Sequence, residues 1–229
     1  MPVRLNGTAL KRNGVTVTTP IDLQIEPGEH VVIEGPNGAG KSTVLDALAG
    51  MDNHDAVLRA GSAGLGSPGG TARVGQRPEA QVVGTTVDED LRWGLDTPLD
   101  VTKTLADVGL ALPHDRPTSE LSGGELQRLA LASALRREPR LLLADEVTSM
   151  LDPEEQTRIT NRLSQLTGTA IVRTTHRNDA ALSDRRVQIT SNNPELPISS
   201  TSSQDLLTIH SRVTAVSYTH LTLPTTPYV

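Results

Sequence analysis

The chain has 229 residues, which is enough for one sizeable α/β domain and too few for two complete ones. Aromatic residues make up 1% of it, so the core has to be built from aliphatic side chains. The net charge of −6 argues against a nucleic-acid-binding protein, and the absence of Cys excludes disulfides and cysteine-based metal sites. No stretch approaches the roughly 20 consecutive apolar residues of a membrane span, so any membrane contact is expected to run through a partner.

Strand and helix patterns alternate along most of the chain. Residues 3–25 carry short β-type patches, which predict an antiparallel lead-in, and residues 30–34 read as a buried strand that runs into a Gly-rich loop and a helix over 41–48. The elements predicted after these are a loop at 60–72, helices at 85–94, 101–108 and 125–137, a strand at 140–144, an amphipathic helix at 153–166 and a strand at 170–173. This alternation predicts an α/β fold with a mostly parallel sheet.

Residues 35–43 fit the phosphate-binding pattern G-x-x-x-x-G-K-[ST] and lie between a predicted strand and a predicted helix. Glycines let backbone N–H groups turn towards phosphates, and the helix N-terminus adds partial positive charge. Lys41 is predicted to reach the β- and γ-phosphates, and Ser42 to offer its hydroxyl to Mg²⁺. The simpler alternative is a Gly-rich turn with an exposed Lys. The predicted phosphate contacts are Gly35, Pro36, Asn37, Gly38, Ala39, Gly40, Lys41, Ser42 and Thr43.

Two acids, Asp145 and Glu146, end an apolar predicted strand. Such a strand delivers them to the carboxyl edge of a parallel sheet, where ligands bind. Asp145 is predicted to hold Mg²⁺, and Glu146 to orient and polarise an attacking water. The alternative is that both acids only cap the chain that follows.

A second anion-binding turn is predicted at Ser122, Gly123 and Gly124, which precede a helix. Taken alone, these residues also fit an N-cap Ser followed by flexible glycines. In its full context, LSGGELQR at residues 121–128, the run resembles the signature motif of ABC-type ATPases. The resemblance implies that Ser122, Gly123 and Gly124 contact the γ-phosphate of ATP held by the other subunit of a head-to-tail dimer. Glu125 stands where the family usually has Gln.

Three further residues match family motifs in the same order along the chain. Gln76 is similar to the Gln that senses Mg²⁺ and the attacking water, and Asp152, in the run SMLD, resembles the loop that communicates across the dimer. His176 is similar to the His that contacts the γ-phosphate. The resemblance thus implies catalytic roles for Glu146, His176 and Gln76, and Mg²⁺ ligation by Ser42, Gln76 and Asp145.

The resemblance implies a P-loop NTPase core with an antiparallel β lead-in and a helical signature subdomain. It also implies ATP and Mg²⁺ as cofactors, ATP hydrolysis, a second ATPase domain and transmembrane transporter subunits as partners, and a place on the inner face of the cell membrane. Residues 76–94 resemble the ATPases of energy-coupling-factor importers. The rival hypotheses are a non-transport ABC protein, in repair or on the ribosome, and a regulatory module without turnover.

The adenine site departs from the family pattern, and the single Trp needs a separate interpretation. Residues 1–34 contain no aromatic residue to stack on adenine, so Lys11 or Arg12 is predicted to cover the base through a cation–π contact, unless they form only an exposed basic turn. Trp93, the single Trp, is predicted to be a partly buried packing residue rather than part of the coupling surface.

The end of the chain differs from the rest in composition. Residues 1–191 are predicted to form the ATPase domain, and residues 192–215 an irregular, Ser/Thr-rich segment. Residues 216–229 resemble a translated sequencing adaptor, the alternative being a natural disordered tail. If the resemblance holds, residues 205–213 could open a truncated second ATPase domain.

Overall fold

The computed structural model describes residues 3–12, 15–50, 69–175 and 185–190, which all belong to one compact unit, Met1–Pro194. In chain order these ranges form β1 (Val3–Thr8), β2 (Lys11–Arg12), β3 (Val15–Thr16), β4 (Ile21–Ile25), β5 (His30–Glu34), α1 (Lys41–Ala49), β6 (Thr71–Val74), α2 (Val87–Arg92), α3 (Val101–Asp107), α4 (Gly123–Leu135), β7 (Leu141–Asp145), α5 (Pro153–Ser164), β8 (Ala170–Thr174) and β9 (Arg185–Gln188). None of the helices in these ranges is both long enough and apolar enough to cross a membrane.

Five strands form a sheet in the order β6-β7-β8-β5-β9, and each neighbouring pair is parallel. All five residues of β7 and of β8 are buried, as expected for strands covered on both faces. The predicted mostly parallel sheet is therefore confirmed. Because the strands run in one direction, the segments that follow β5, β6, β7 and β8 all leave from the same edge.

The core lies on both faces of this sheet. Leu142 and Ala144 of β7 pack with buried residues of α2 to α5, whereas Leu141 and Leu143 pack with α1 and the lead-in strands. This alternation follows from the two-residue period of a strand, which sends neighbouring side chains to opposite faces. The predicted lead-in is also confirmed, since β1 pairs with β4 and β2 pairs with β3, both antiparallel.

Several element boundaries differ from those that the sequence predicted. Strand β6 begins at Thr71, inside the segment predicted as a loop, because pairing with β7 stabilises a four-residue stretch that has only two apolar residues. Helix α4 begins at Gly123, two residues before the predicted start at Glu125, because Ser122 caps it. Strand β9 was not predicted, since Arg-Arg-Val-Gln carries one apolar residue and lies at the sheet edge.

The prediction that Trp93 is partly buried is wrong. Its side chain is 59% exposed, directly after the end of α2. The predicted segments at 192–215 and 216–229 lie outside the described residues, so the domain boundaries stay predictions.

A buried carboxylate joins α2 to α4 within the helical part of the fold. Asp90 is 3% exposed and accepts hydrogen bonds from the backbone N–H of Val83 (2.8 Å), the N–H of Gly84 (3.2 Å) and Ser133 Oγ (2.6 Å). A buried charge is tolerated where it is fully hydrogen-bonded, and these three donors meet that condition.

Replacing Asp90 should therefore destabilise the fold. We expect Asp90→Ala to lower the free energy of unfolding in urea by about 3 kcal/mol, because buried donors are left without an acceptor. Asp88→Ala on the same helix is the control: Asp88 pairs with Arg92 at 2.8 Å on the surface, and its loss should cost about 0.5 kcal/mol or less. Equal losses for the two variants would contradict this role for Asp90.

Candidate functional site

The Gly-rich loop at residues 35–40 joins β5 to α1 at the carboxyl edge of the sheet. Gly38 and Gly40 adopt left-handed backbone conformations, with φ of 78° and 93°. At Gly40 a side-chain carbon would also lie 2.5 Å from Thr18 Cγ2, so only glycine fits there. Gly40 occupies the N-cap position of α1 without any side-chain cap, which leaves the first N–H groups of the helix facing the loop. A loop of this form can cradle a phosphate.

Lys41 lies at the start of α1 with 6% of its surface exposed. Its Nζ donates to the backbone carbonyls of Gly35 (2.8 Å) and Pro36 (3.2 Å). Burial lowers the pKa of Lys41 below its ordinary value, while the nearby carboxylates of Glu146 and Asp145 act in the opposite direction. The structure thus brings Lys41 close to both predicted acids.

Asp145 and Glu146 stand at the end of β7, on the same edge. Asp145 is 2% exposed, and its Oδ1 accepts a 2.7 Å hydrogen bond from Thr174 Oγ1 on β8. The backbone N–H of Glu146 donates to the same hydroxyl at 3.0 Å, and Glu146 has a φ of 53°. The following helix, α5, is capped by Asp152 and not by either acid.

Two partners of Asp145 were missed in the sequence. One is Thr174; the other is Arg73 of β6, whose Nη2 lies 3.7 Å from Asp145 Oδ2 and 2.5 Å from Asp46 Oδ1. In the sequence, Thr174 and Arg73 are each a polar residue in a short stretch that otherwise resembles a strand. That signal becomes specific only once the strand pairing is known.

Ser122 forms a reciprocal cap with Glu125 at the start of α4. Its hydroxyl accepts from the Glu125 N–H (3.3 Å) and donates to Glu125 Oε2 (2.9 Å), while the Ser122 N–H donates to the same carboxylate at 2.8 Å. These bonds, led by the one from the Ser122 backbone, hold the pKa of Glu125 below its ordinary value. Arg116 Nη1 also contacts Glu125 Oε1 at 3.2 Å. The N-cap interpretation of Ser122 is therefore observed in the isolated chain.

The run at residues 149–152 lies against this turn. A side-chain carbon at Gly123 would lie 3.6 Å from Met150 Sδ, and one at Gly124 would lie 3.6 Å from the carbonyl oxygen of Met150. Met150 itself is 54% exposed. Asp152 accepts a 2.9 Å hydrogen bond from the Glu155 N–H and caps α5. The two segments thus form one continuous surface.

The structure describes the other predicted site residues in less detail. Gln76 is exposed in the loop after β6, and β6 pairs with β7 so that Val74 lies opposite Ala144. Gln76 therefore leaves the sheet at the same edge as Asp145. His176 and the side chain of Arg12 lie outside the described residues. Lys11 is exposed on β2.

The oxygen donors at this edge suit Mg²⁺ bound together with a nucleotide. Within the described ranges, no group of three or more His, Asp or Glu residues could hold a metal ion by itself. Mg²⁺ is usually held by one or two protein oxygens plus substrate phosphates. The Ser42 hydroxyl and the Asp145 carboxylate, which borders the phosphate loop, match that requirement.

A groove of about 340 Å³ lies between β6, α2 and α4. Arg73, Asp90 and Trp93 are among its lining residues, together with Val83, which is 57% exposed. Arg73 thus borders both this groove and the Asp145 carboxylate. The exposed indole and valine give the groove an apolar rim.

The chain is similar to known proteins in both sequence and fold. The family profile described as ABC transporter matches residues 18–149. An uncharacterized ABC transporter ATP-binding protein of Mycobacterium tuberculosis is 45% identical over 203 residues, which cover 85% of this chain and 29% of that protein. The energy-coupling factor transporter ATP-binding protein EcfA1 of Thermotoga maritima is 35% identical over 193 residues, which cover 77% of this chain and 73% of EcfA1.

Among solved structures, cbiO1 of Clostridium perfringens, described as part of the ABC transporter complex cbiONQ, matches with a TM-score of 0.67 at 25% identity. The match covers 82% of this chain and 84% of cbiO1. The chain spans less than a third of the length of the mycobacterial relative, at 29%.

Proposed function

Because the chain belongs to the ABC transporter family of ATP-binding proteins, we propose that it binds and hydrolyses ATP to drive the transport of a small solute across a membrane. The observation that carries the proposal is the meeting of Lys41, Asp145 and Glu146 at one edge of the sheet, where β5 and β7, both paired in parallel with β8, end. Hydrolysis of a nucleotide needs a phosphate-binding loop, a metal-binding carboxylate and a second carboxylate able to polarise water.

The loop holds the phosphates in this proposal. The backbone N–H groups at residues 35–43 and the start of α1 bind phosphate oxygens, and Lys41 exchanges its two carbonyl acceptors for the β- and γ-phosphates. The proposed ligands of Mg²⁺ are Ser42, Asp145 and Gln76. When bound, the ion supplies positive charge against the phosphate oxygens. Lys11 and Val15, both exposed on the hairpin of β2 and β3, cover the base where the family has an aromatic.

Glu146 orients and polarises the attacking water, and Gln76 and His176 complete the surroundings of the γ-phosphate. The left-handed backbone of Glu146 supports its assignment, because a non-glycine residue in that conformation is uncommon and such residues gather at functional sites. A regulatory module without turnover would not need this carboxylate.

Two copies of the domain close over two ATP molecules in the proposed mechanism. The signature residues Ser122, Gly123 and Gly124 of one copy face the γ-phosphate bound by the other, and Asp152 lies in the loop that communicates across the dimer. The contact between Gly123 and Met150 supports one shared surface for these segments, and the exposure of Met150 fits a side chain that a second subunit covers. Hydrolysis leaves like charges in this interface and reopens it.

The apolar-rimmed groove beside Trp93 is the proposed docking surface for the transmembrane subunits. An exposed Trp next to an exposed Val is typical of a protein interface. Docking there places the chain on the inner face of the membrane. The similarity to EcfA1 and cbiO1 supports an importer of the energy-coupling-factor type. A repair-type protein is disfavoured because residues 44–120 leave no room for a long coiled coil.

Removing the charge of Glu146 should separate binding from turnover. We expect Glu146→Gln to bind ATP as the wild type does and to lower the kcat of ATP hydrolysis at least about 100-fold, since the general base is lost. Glu138→Gln is a matched control, because Glu138 also has a left-handed backbone, with φ of 48°, but lies at the end of α4. Wild-type hydrolysis by Glu146→Gln would refute this role.

A negative charge at Ser122 should block closure of the dimer. In the Glu146→Gln background we expect ATP to produce a dimer in sedimentation velocity, and Ser122→Asp to abolish it by repelling the γ-phosphate of the other copy. Ser122→Asn has the same shape without the charge, and both replacements can cap α4, so Asn should weaken dimerisation far less. An ATP-dependent dimer that tolerates Asp would contradict the proposed interface.

Truncating Trp93 should release the membrane subunits. We expect Trp93→Ala to weaken the complex with transmembrane subunits encoded beside the gene by about 2 kcal/mol, as for a buried interface anchor, without changing ATP binding. Co-purification from detergent measures the complex, and Trp93→Phe, which keeps an aromatic ring, should retain it. Full retention by Trp93→Ala would place the docking surface elsewhere.

A further inference from the structure

We propose that Thr174 is a positioning residue for hydrolysis, which sets the orientation of Asp145 and of Glu146 through one hydroxyl. The proposal rests on the ATPase function proposed above and adds a residue to it. None of the sequence motifs contains Thr174, since it precedes the predicted His176 by two positions. Its importance follows only from the pairing of β7 with β8.

The pairing places the hydroxyl between the two acids. Asp145 and Thr174 are direct partners in the parallel register of β7 and β8. Thr174 Oγ1 donates to Asp145 Oδ1 at 2.7 Å and accepts from the Glu146 backbone N–H at 3.0 Å. Thr174 is 3% exposed and Asp145 is 2% exposed, so water has little access to either group.

A hydroxyl is the group that these two neighbours require. An ionised carboxylate only accepts hydrogen bonds and a backbone N–H only donates, so a bridge between them has to donate and accept at once. A valine in this place would fill the same space and serve neither neighbour. The β-branched side chain also has few rotamers, which keeps the hydroxyl fixed.

The Thr174 hydroxyl holds the backbone of Glu146, which is strained. Two non-glycine residues in the described ranges have positive φ, Glu138 and Glu146. Glu138 follows the end of α4 and donates to the Leu135 carbonyl, an ordinary helix ending. Glu146 ends a strand instead, and its N–H is held by Thr174. The same hydroxyl therefore fixes the rotation of the Asp145 carboxyl group and supports the conformation that directs Glu146.

The test is the pair Thr174→Val and Thr174→Ser in the full chain. We expect Val to lower the kcat of ATP hydrolysis by about 10-fold to 100-fold, because small displacements of catalytic groups are costly, and to raise the Mg²⁺ concentration for half-maximal activity. Binding of a fluorescent ATP analogue should stay unchanged. Ser keeps the hydroxyl and should restore kcat to within about threefold of the wild type.

The control is Thr169→Val, just before the start of β8 at the opposite edge of the sheet. Thr169 donates to the Pro139 carbonyl at 2.8 Å, so its loss should leave kcat and the Mg²⁺ dependence unchanged. Thr174→Ala replaces Thr174→Val if thermal unfolding shows that Val prevents folding.

Wild-type kcat and Mg²⁺ dependence in the hydroxyl-free variant would overturn the proposal, as would a Ser variant as slow as Val, which would assign the effect to packing. If the wild-type chain itself neither binds nor hydrolyses ATP, the proposed function fails instead, so the two failures are distinguishable.

Discussion

Parallel pairing of β5, β7 and β8 is the constraint on which the rest of the structure depends. The middle of each strand is buried, so most of the polar residues lie at or next to the strand ends, and a parallel sheet gathers those ends at one edge. The phosphate loop leaves β5 at this edge, and Asp145 and Glu146 leave β7. The register of β7 with β8 then brings Thr174 against Asp145. One pattern of backbone hydrogen bonds therefore assembles groups from three distant parts of the chain.

The charges at this edge are balanced within the chain. Lys41 is buried, which lowers its pKa, but the two acids beside it favour its charged form. Arg73 Nη2 lies 3.7 Å from Asp145 Oδ2 and is itself paired with Asp46. Buried charges without such partners would be costly. Lys41 and Asp145 therefore each have an oppositely charged neighbour, which offsets part of the cost of their burial.

Local patterns in the sequence predicted much of this arrangement. The phosphate loop, the strand ending in Asp145 and the helix after Ser122 each follow from a short motif or an apolar period, and the structure contains all three. Thr174 and Arg73 could not be found this way, because their roles depend on which strands pair. Trp93 was predicted to be a partly buried packing residue, whereas the end of α2 leaves it at the rim of a groove.

Glu125 explains how one turn can serve both a single chain and the proposed dimer. In the single chain its carboxylate occupies the start of α4, where it accepts from Ser122 and satisfies donors that a phosphate would otherwise meet. In the proposed dimer, a γ-phosphate from the second subunit competes with Glu125 for the same donors. Arg116 already contacts Glu125, so the displaced carboxylate keeps a cationic partner when Ser122 turns to the phosphate. In the proposed mechanism, closure therefore exchanges one charge-assisted contact for another, and breaking the Ser122–Glu125 cap contributes to its free-energy cost.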